Sequence, residues 1–223
     1  MKLDDERLVY FSGKESFDQI DSLLDYSGKQ SSLSDERRTD LLTNYNLSYL
    51  YVVAKENENI RLDGDKYLEK MYTDLVRRSE EEEGKVPISL NNVMRSYQKI
   101  GFFWMKMLRK HHLGGLLADD MGLGKTLQSL AILSDYYEQQ NQDRKLSLVV
   151  CPKTLLFNWA IEIEKFHPNL TYIIYEGSKR ERTKLLEDNQ SDIIIVSYSL
   201  VQMDIDNFLP HSYAYIILDE AQH

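Results

Sequence analysis

Eight residues, Asp119-Asp120-Met121-Gly122-Leu123-Gly124-Lys125-Thr126, constrain this chain more than any other stretch. They follow the apolar run Gly115-Leu116-Leu117-Ala118, expected as a short strand, and open a helical pattern from Thr126 to Tyr137. A glycine-rich turn between strand and helix that ends in Lys-Thr is the phosphate-loop arrangement. Glycines let backbone N–H groups turn towards phosphate oxygens. The helix N-terminus adds partial positive charge. In this reading Lys125 reaches the β- and γ-phosphates of a nucleoside triphosphate and the Thr126 hydroxyl holds Mg²⁺. The general pattern opens with glycine, and Asp119 stands there instead. On the loop alone, a glycine-rich turn before a helix remains a competing reading.

The pattern around the loop supports an α/β fold. Met94–Leu108 is expected as a helix with Tyr97, Ile100, Trp104 and Leu108 along one side. Strands are expected at 146–151, 172–175, 193–196 and 215–218, with helices at 155–166 and 179–186 between them. Trp159 and Ile163 should point inward from the first of those two helices. Short all-apolar strands that alternate with helices predict a mainly parallel sheet covered on both faces. The last strand runs into Asp219-Glu220-Ala221-Gln222. Carboxylates at a strand's C-terminal end point into the crevice where open α/β sheets bind ligands. Asp219 can hold Mg²⁺, through water. Glu220 can orient or deprotonate an attacking water. Two acids after a strand are weak evidence alone, but the loop and the acid pair together are far more specific.

Composition excludes several alternatives. The net charge is −9, and residues 1–88 carry 13 basic and 20 acidic side chains against 14 and 16 in the remainder. A dedicated DNA-binding module is usually basic, so charge offers no argument for nucleic acid, although a local groove can still bind phosphates. No apolar run approaches the length of a membrane span. The acidic start lacks the apolar stretch of a signal peptide. A cytoplasmic protein is expected, nucleoid-associated if it works on DNA. The one cysteine, Cys151, ends an apolar run and is expected as a buried small residue rather than a nucleophile.

Glu80-Glu81-Glu82-Glu83-Gly84 reads equally as a linker or as a solvated helix end. Residues 1–88 are expected to form a small accessory region, mixed α/β or mostly helical. Helical stripes are read at Phe17–Leu24, Leu41–Tyr49 and Tyr67–Val76. A strand pair is read at Tyr49–Ala54 and Ile60–Leu62, with a turn at Asp63-Gly64-Asp65. The segment 57–70 fails as a calcium loop, because Arg61 and Lys70 stand at ligand positions. His111-His112 has no partner spacing for a metal and suits a helix C-terminus.

Met94-Arg95-Ser96-Tyr97-Gln98-Lys99-Ile100-Gly101-Phe102-Phe103-Trp104 resembles the adenine-recognition segment of Swi/Snf-type ATPases in helicase superfamily two. Ala118–Gln128 resembles that family's phosphate loop, which also carries acids before the methionine and so accounts for Asp119. Leu148–Trp159, Tyr175–Arg180 and Ile195–Tyr198 are similar to motifs on its DNA side. Leu218-Asp219-Glu220-Ala221-Gln222-His223 resembles its Mg²⁺ box in the DEAQ variant of bacterial members.

The resemblance covers roughly 90–223 in the family's order, and it implies a RecA-like ATP-binding lobe over 89–223. Arg95, Gln98 and Gln222 join residues 119–126 at the nucleotide. Lys153, Thr154, Asn158, Gly177, Arg180, Ser197 and Tyr198 become candidates for DNA contact. Without the neighbouring motifs, Gln98 would read as a surface glutamine, and Trp104 and Trp159 read as core. The role of His223 stays open.

The family's motors have a second lobe that carries arginine fingers, typically worth about 10³–10⁵ in rate. The first lobe's sheet is then expected to be incomplete here, with an exposed edge or an uncovered apolar face. This chain alone should bind MgATP poorly and turn it over slowly. Three functions follow: a monomeric ATP-driven translocase on double-stranded DNA, a truncated ATP-binding module without motor activity, or an RNA-dependent ATPase of the same superfamily. A nucleoprotein substrate such as a stalled RNA polymerase is left open.

Overall fold

The computed structural model describes residues 69–71, 73–74, 85–139 and 144–222. The expectations for the earlier stripes, the strand pair, the Asp63–Asp65 turn, most of the 57–70 segment, the acidic run and His223 lie outside these residues. The chain divides into two compact units, Met1–Glu82 with Lys106–Gly115, and Glu83–Met105 with Leu116–His223.

In the first unit, residues 69–71 and 73–74 are helical and Met71 is fully buried. His111 follows the last residue of helix α1, Ser96–Lys110, as the sequence suggested. Its Nε2 lies 2.9 Å from Asp74 Oδ2, and Lys110 Nζ lies 3.1 Å from the same oxygen. Burial pushes the Asp74 carboxyl up, but the hydrogen bonds with Lys110 and His111 outweigh it and hold it below its usual range.

The second unit is built on a parallel sheet. Its strands are β1 (Leu146–Cys151), β2 (Tyr172–Tyr175), β3 (Ile193–Ser197) and β4 (Tyr213–Leu218), in the order β2-β3-β1-β4. Each inner strand buries both faces, and residues alternate between two cores as the period-two pleat requires. Val149, Cys151, Ile193 and Ile195 face helices α2 (Lys125–Gln139) and α3 (Leu156–Phe166), meeting Leu130, Leu133, Trp159 and Ile163. Leu148, Val150, Ile194 and Val196 face the other side, where Leu186, Leu200 and Phe208 come from α4 (Lys179–Glu187), α5 (Tyr198–Met203) and α6 (Ile205–Phe208). A capping box starts α4: Ser178 N donates to Glu181 Oε2 at 2.7 Å, and Glu181 N returns to Ser178 Oγ at 3.4 Å.

Two expectations are corrected. Residues 115–118 are not a strand, and Leu116 is 79% exposed. A short apolar run becomes a strand only when a neighbour takes its backbone groups. Among the described residues, β4 pairs with β1 alone and offers 115–118 no ladder. The expected exposed edge is present at β4 among the described residues, with Ile216 and Leu218 more than half exposed. The stripe read along α1 holds only in part. Leu108 is buried and Trp104 half-buried rather than core, Tyr97 and Ile100 are exposed, and Gln98, Phe102 and Met107 are buried instead. The apolar residues of this helix favour one side, and periodicity pointed there, but the first half of that stripe is exposed.

The sequence reading did not find the buried pair Arg182–Asp204. Arg182 Nε donates to Asp204 Oδ2 at 2.7 Å, and its Nη1 donates to Gly177 O, also at 2.7 Å. Tyr175 Oη donates to the same carboxylate at 2.9 Å. The Arg182 hydrogen bond holds the Asp204 carboxyl below its usual range against the opposing effect of burial. A carboxyl whose folded pKa is depressed contributes stability above its unfolded value, and loses it as pH falls through the folded one. Stability should therefore fall below about pH 4. Asp204→Asn should flatten that acid limb in urea titrations; an unchanged limb would remove this pair from the account.

Candidate functional site

The loop before α2 has the backbone that its glycines suggest. Gly122 has φ +83° and Gly124 φ +77°, a region costly for other residues. A Cβ on Gly124 would also collide with Gln98 Nε2. Lys125 Nζ donates to the carbonyls of Asp119 at 2.8 Å and Asp120 at 3.2 Å, folding its cation back over the loop. Asp119, the departure from the general pattern, has a structural use: its Oδ2 accepts from Nε2 of buried Gln128 at 3.2 Å. Asp120 and Met121 are exposed, while Leu123, Lys125 and Thr126 are half-buried.

Gln98 is not a surface glutamine. It is buried, its Nε2 donates to Leu123 O at 2.9 Å, and its Oε1 accepts from Arg95 N at 2.8 Å. It thereby ties the start of α1 to the phosphate loop. Tyr97, which the sequence reading gave no site role, adds a second donor to Leu123 O at 3.2 Å. The Arg95 side chain is exposed.

Asp219 follows β4 directly and is held from three sides. Its N–H donates to Val150 O of β1 at 2.8 Å. Its main-chain oxygen accepts from Tyr198 Oη at 2.9 Å, and its Oδ2 accepts from Trp159 Nε1 at 2.8 Å. Burial, and then the Asp219 charge, raise the Tyr198 phenol, so it stays a protonated donor. Burial and Asp219 push the Cys151 thiol up to about 12, which makes it an inert thiol rather than a nucleophile. Glu220 has φ +53°, uncommon outside glycine, and its carboxylate accepts from Gln222 Nε2. Glu220 is half-buried and Gln222 exposed.

Because all four strands are parallel, their carboxyl ends lie along one edge of the sheet. That edge gathers most of the remaining candidates. Lys153 and Thr154 sit on a 3₁₀ turn, Lys153–Leu155, after β1, and Asn158 is on the first turn of α3. Gly177 (φ +105°) and Arg180 follow β2. Thr154, Asn158, Gly177 and Arg180 are exposed. Lys153 Nζ pairs with Glu176 Oε1 at 3.2 Å. Lys153 is largely exposed, so that pair adds little stability and can exchange partners. Ser197 is buried, with its Oγ 3.2 Å from that of Ser199; the exposed member of this pair is Ser199, which sequence reasoning missed. The Tyr198 hydroxyl is committed to Asp219.

The link between Trp159 and Asp219 was also missed. The available signal was the indole N–H, because a buried Trp usually finds a hydrogen-bond partner.

The SNF2-related domain family matches residues 97–223. The nuclear protein STH1/NPS1 of Saccharomyces cerevisiae is 35% identical over 203 residues, covering 84% of this chain and 15% of that protein. The TATA-binding protein-associated factor mot1 of Schizosaccharomyces pombe is 35% identical over 167 residues, covering 70% of this chain and 8% of that protein. An ATP-dependent helicase of Mycoplasma genitalium is 36% identical over 131 residues, covering 59% of this chain and 13% of its own length. Among solved structures, the Sulfolobus solfataricus SWI2/SNF2 ATPase core in complex with dsDNA is 40% identical. That likeness has a TM-score of 0.50 and covers 57% of this chain and 26% of the solved one. The chain thus spans only a small fraction of each relative. Its parallel sheet with helices on both faces is the RecA-like fold of such cores. The family match over more than half of the sequence makes the chain a member of the SNF2-related family of helicase-like ATPases.

Proposed function

We propose that this chain binds Mg·ATP and supplies the first ATP-binding lobe of a motor that moves along double-stranded DNA or remodels DNA–protein complexes. The observation that carries the reading is the pairing of a positive-φ glycine loop, which ends in Lys125 and Thr126, with Asp219 and Glu220 at the end of a parallel strand. The family membership supports it, and the S. solfataricus relative was solved on duplex DNA.

The donor set suits Mg²⁺. No cluster of three His, Cys, Asp or Glu residues able to hold a metal occurs among the described residues. Mg²⁺ commonly uses one or two carboxylates together with substrate phosphates and water, rather than an all-protein cage. Thr126 and Asp219 would hold it, and when bound it would neutralise charge on the phosphates.

Lys125 exchanges two neutral carbonyls for anionic phosphate oxygens. Gln98 braces the loop, with its adenine contact an expectation of the family likeness. Glu220 orients or deprotonates the attacking water. Lys153, Thr154, Asn158, Gly177 and Arg180 offer an exposed edge for a phosphate backbone. With a net charge of −9, any such contact is local rather than a property of the whole surface.

The test compares ATP hydrolysis by the full-length protein with duplex DNA, duplex RNA or neither. Duplex DNA should accelerate turnover most. Equal or greater stimulation by RNA would favour an RNA-dependent ATPase, because the 2′-hydroxyl is the group that separates the two.

A further inference from the structure

We propose that Trp159 is a positioning residue for the Asp219 carboxylate, which ties the metal-binding acid to the helix that carries the exposed Lys153–Asn158 segment. The inference rests on the Mg·ATP reading above.

Trp159 is 2% exposed and packs with Ile163, Leu156, Val149 and Ile195, so bulk alone would explain a large ring there. Packing does not require the indole N–H. That group donates to Asp219 Oδ2 at 2.8 Å, a hydrogen bond from a neutral donor to an anionic acceptor. It fixes one carboxylate oxygen and limits the rotation of the group, and no hydrogen bond to Oδ1 is found among the described residues. The main chain of Asp219 is fixed separately, by Val150 and Tyr198. Trp159 is therefore the one hydrogen-bond partner of the Asp219 side chain among the described residues, and it arrives from α3 rather than from β4.

Asn158 immediately precedes Trp159 and is exposed, and Lys153 and Thr154 lie on the turn that leads into the same helix. A shift of α3 on engaging a phosphate backbone moves the indole and, with it, the orientation of Asp219. Groups that orient metal ligands typically alter metal affinity by about 10–100-fold when removed.

The test uses Trp159→Phe, which keeps an aromatic ring and deletes the donor. Binding of a fluorescent ATP analogue to the full-length protein is titrated with Mg²⁺ for wild type, Trp159→Phe and Lys125→Ala. The half-saturating Mg²⁺ concentration in Trp159→Phe should rise about 10-fold or more, with analogue binding in EDTA unchanged. A role in packing alone would lower the melting temperature and leave the Mg²⁺ midpoint where it was, which would overturn the inference while sparing the nucleotide site. If Lys125→Ala binds the analogue as wild type does, the nucleotide-site reading fails and the inference falls with it.

Should Trp159→Phe not fold, 7-azatryptophan placed at position 159 alone in the full-length protein keeps the ring N–H and gives a second, spectrally separate emission. That emission should change on adding Mg²⁺ with ATP and not on adding ATP in EDTA. An emission indifferent to Mg²⁺ would overturn the inference.

Discussion

Lys125→Ala in the full-length protein should reduce ATP turnover by about 10²–10³-fold or more, the scale seen when one preorganised charge-stabilising donor is removed. Lys125 is the one cationic side chain in the 119–126 loop. Its ammonium is held by two neutral carbonyls, which is a weak hold compared with triphosphate oxygens. Truncation removes that cation from a half-buried side chain, leaves the glycine backbone intact, and opens no core cavity. Stability should therefore change by no more than about 0.5 kcal/mol. A melt that matches wild type, together with lost turnover, is the expected pair of results. Near-normal turnover would mean that the loop does not hold the reacting phosphates.

The largest stability effect should come from Ile195→Ala. Ile195 is fully buried at the centre of β3, opposite Val149 on one side and Ile174 on the other. Removing its outer carbons costs transfer free energy and leaves a cavity between the sheet and α3, about 2–5 kcal/mol in all. Ile216→Ala is the internal control. The same side chain on the open β4 edge is 58% exposed, so its loss should cost within about 0.5 kcal/mol. Urea unfolding of both variants measures the difference. Similar losses would mean that the β4 edge is covered.

The legible parts of this protein were those encoded locally. The bounds of β1 and β2 match the expected ones because their mostly apolar runs end abruptly in polar or glycine-containing segments. The phosphate loop was legible because its glycines, Lys125 and Thr126 are adjacent in sequence. Partnership across the fold was not legible. Residues 115–118 have strand composition but no strand beside them, and the first half of α1 buries Gln98 and Phe102 rather than the apolar stripe that carries Tyr97 and Ile100. Arg182 and Asp204 are 22 positions apart and meet only once β2, α4 and α5 are packed. Asp219 was visible as the acid after a strand, whereas the Trp159 donor that orients it lies 60 positions earlier. Asp119 departs from the general motif and was accounted for only by the family likeness, whereas its partner Gln128 appears only in the fold.

The most direct test of the central claim is ATP hydrolysis by the full-length protein as duplex DNA is added at low and at high salt. Phosphate contacts are strongest at low ionic strength and weaken steeply as counterions compete. The account predicts clear stimulation at low salt, fading as salt rises and absent in Lys125→Ala. Turnover indifferent to duplex DNA at low salt would contradict it.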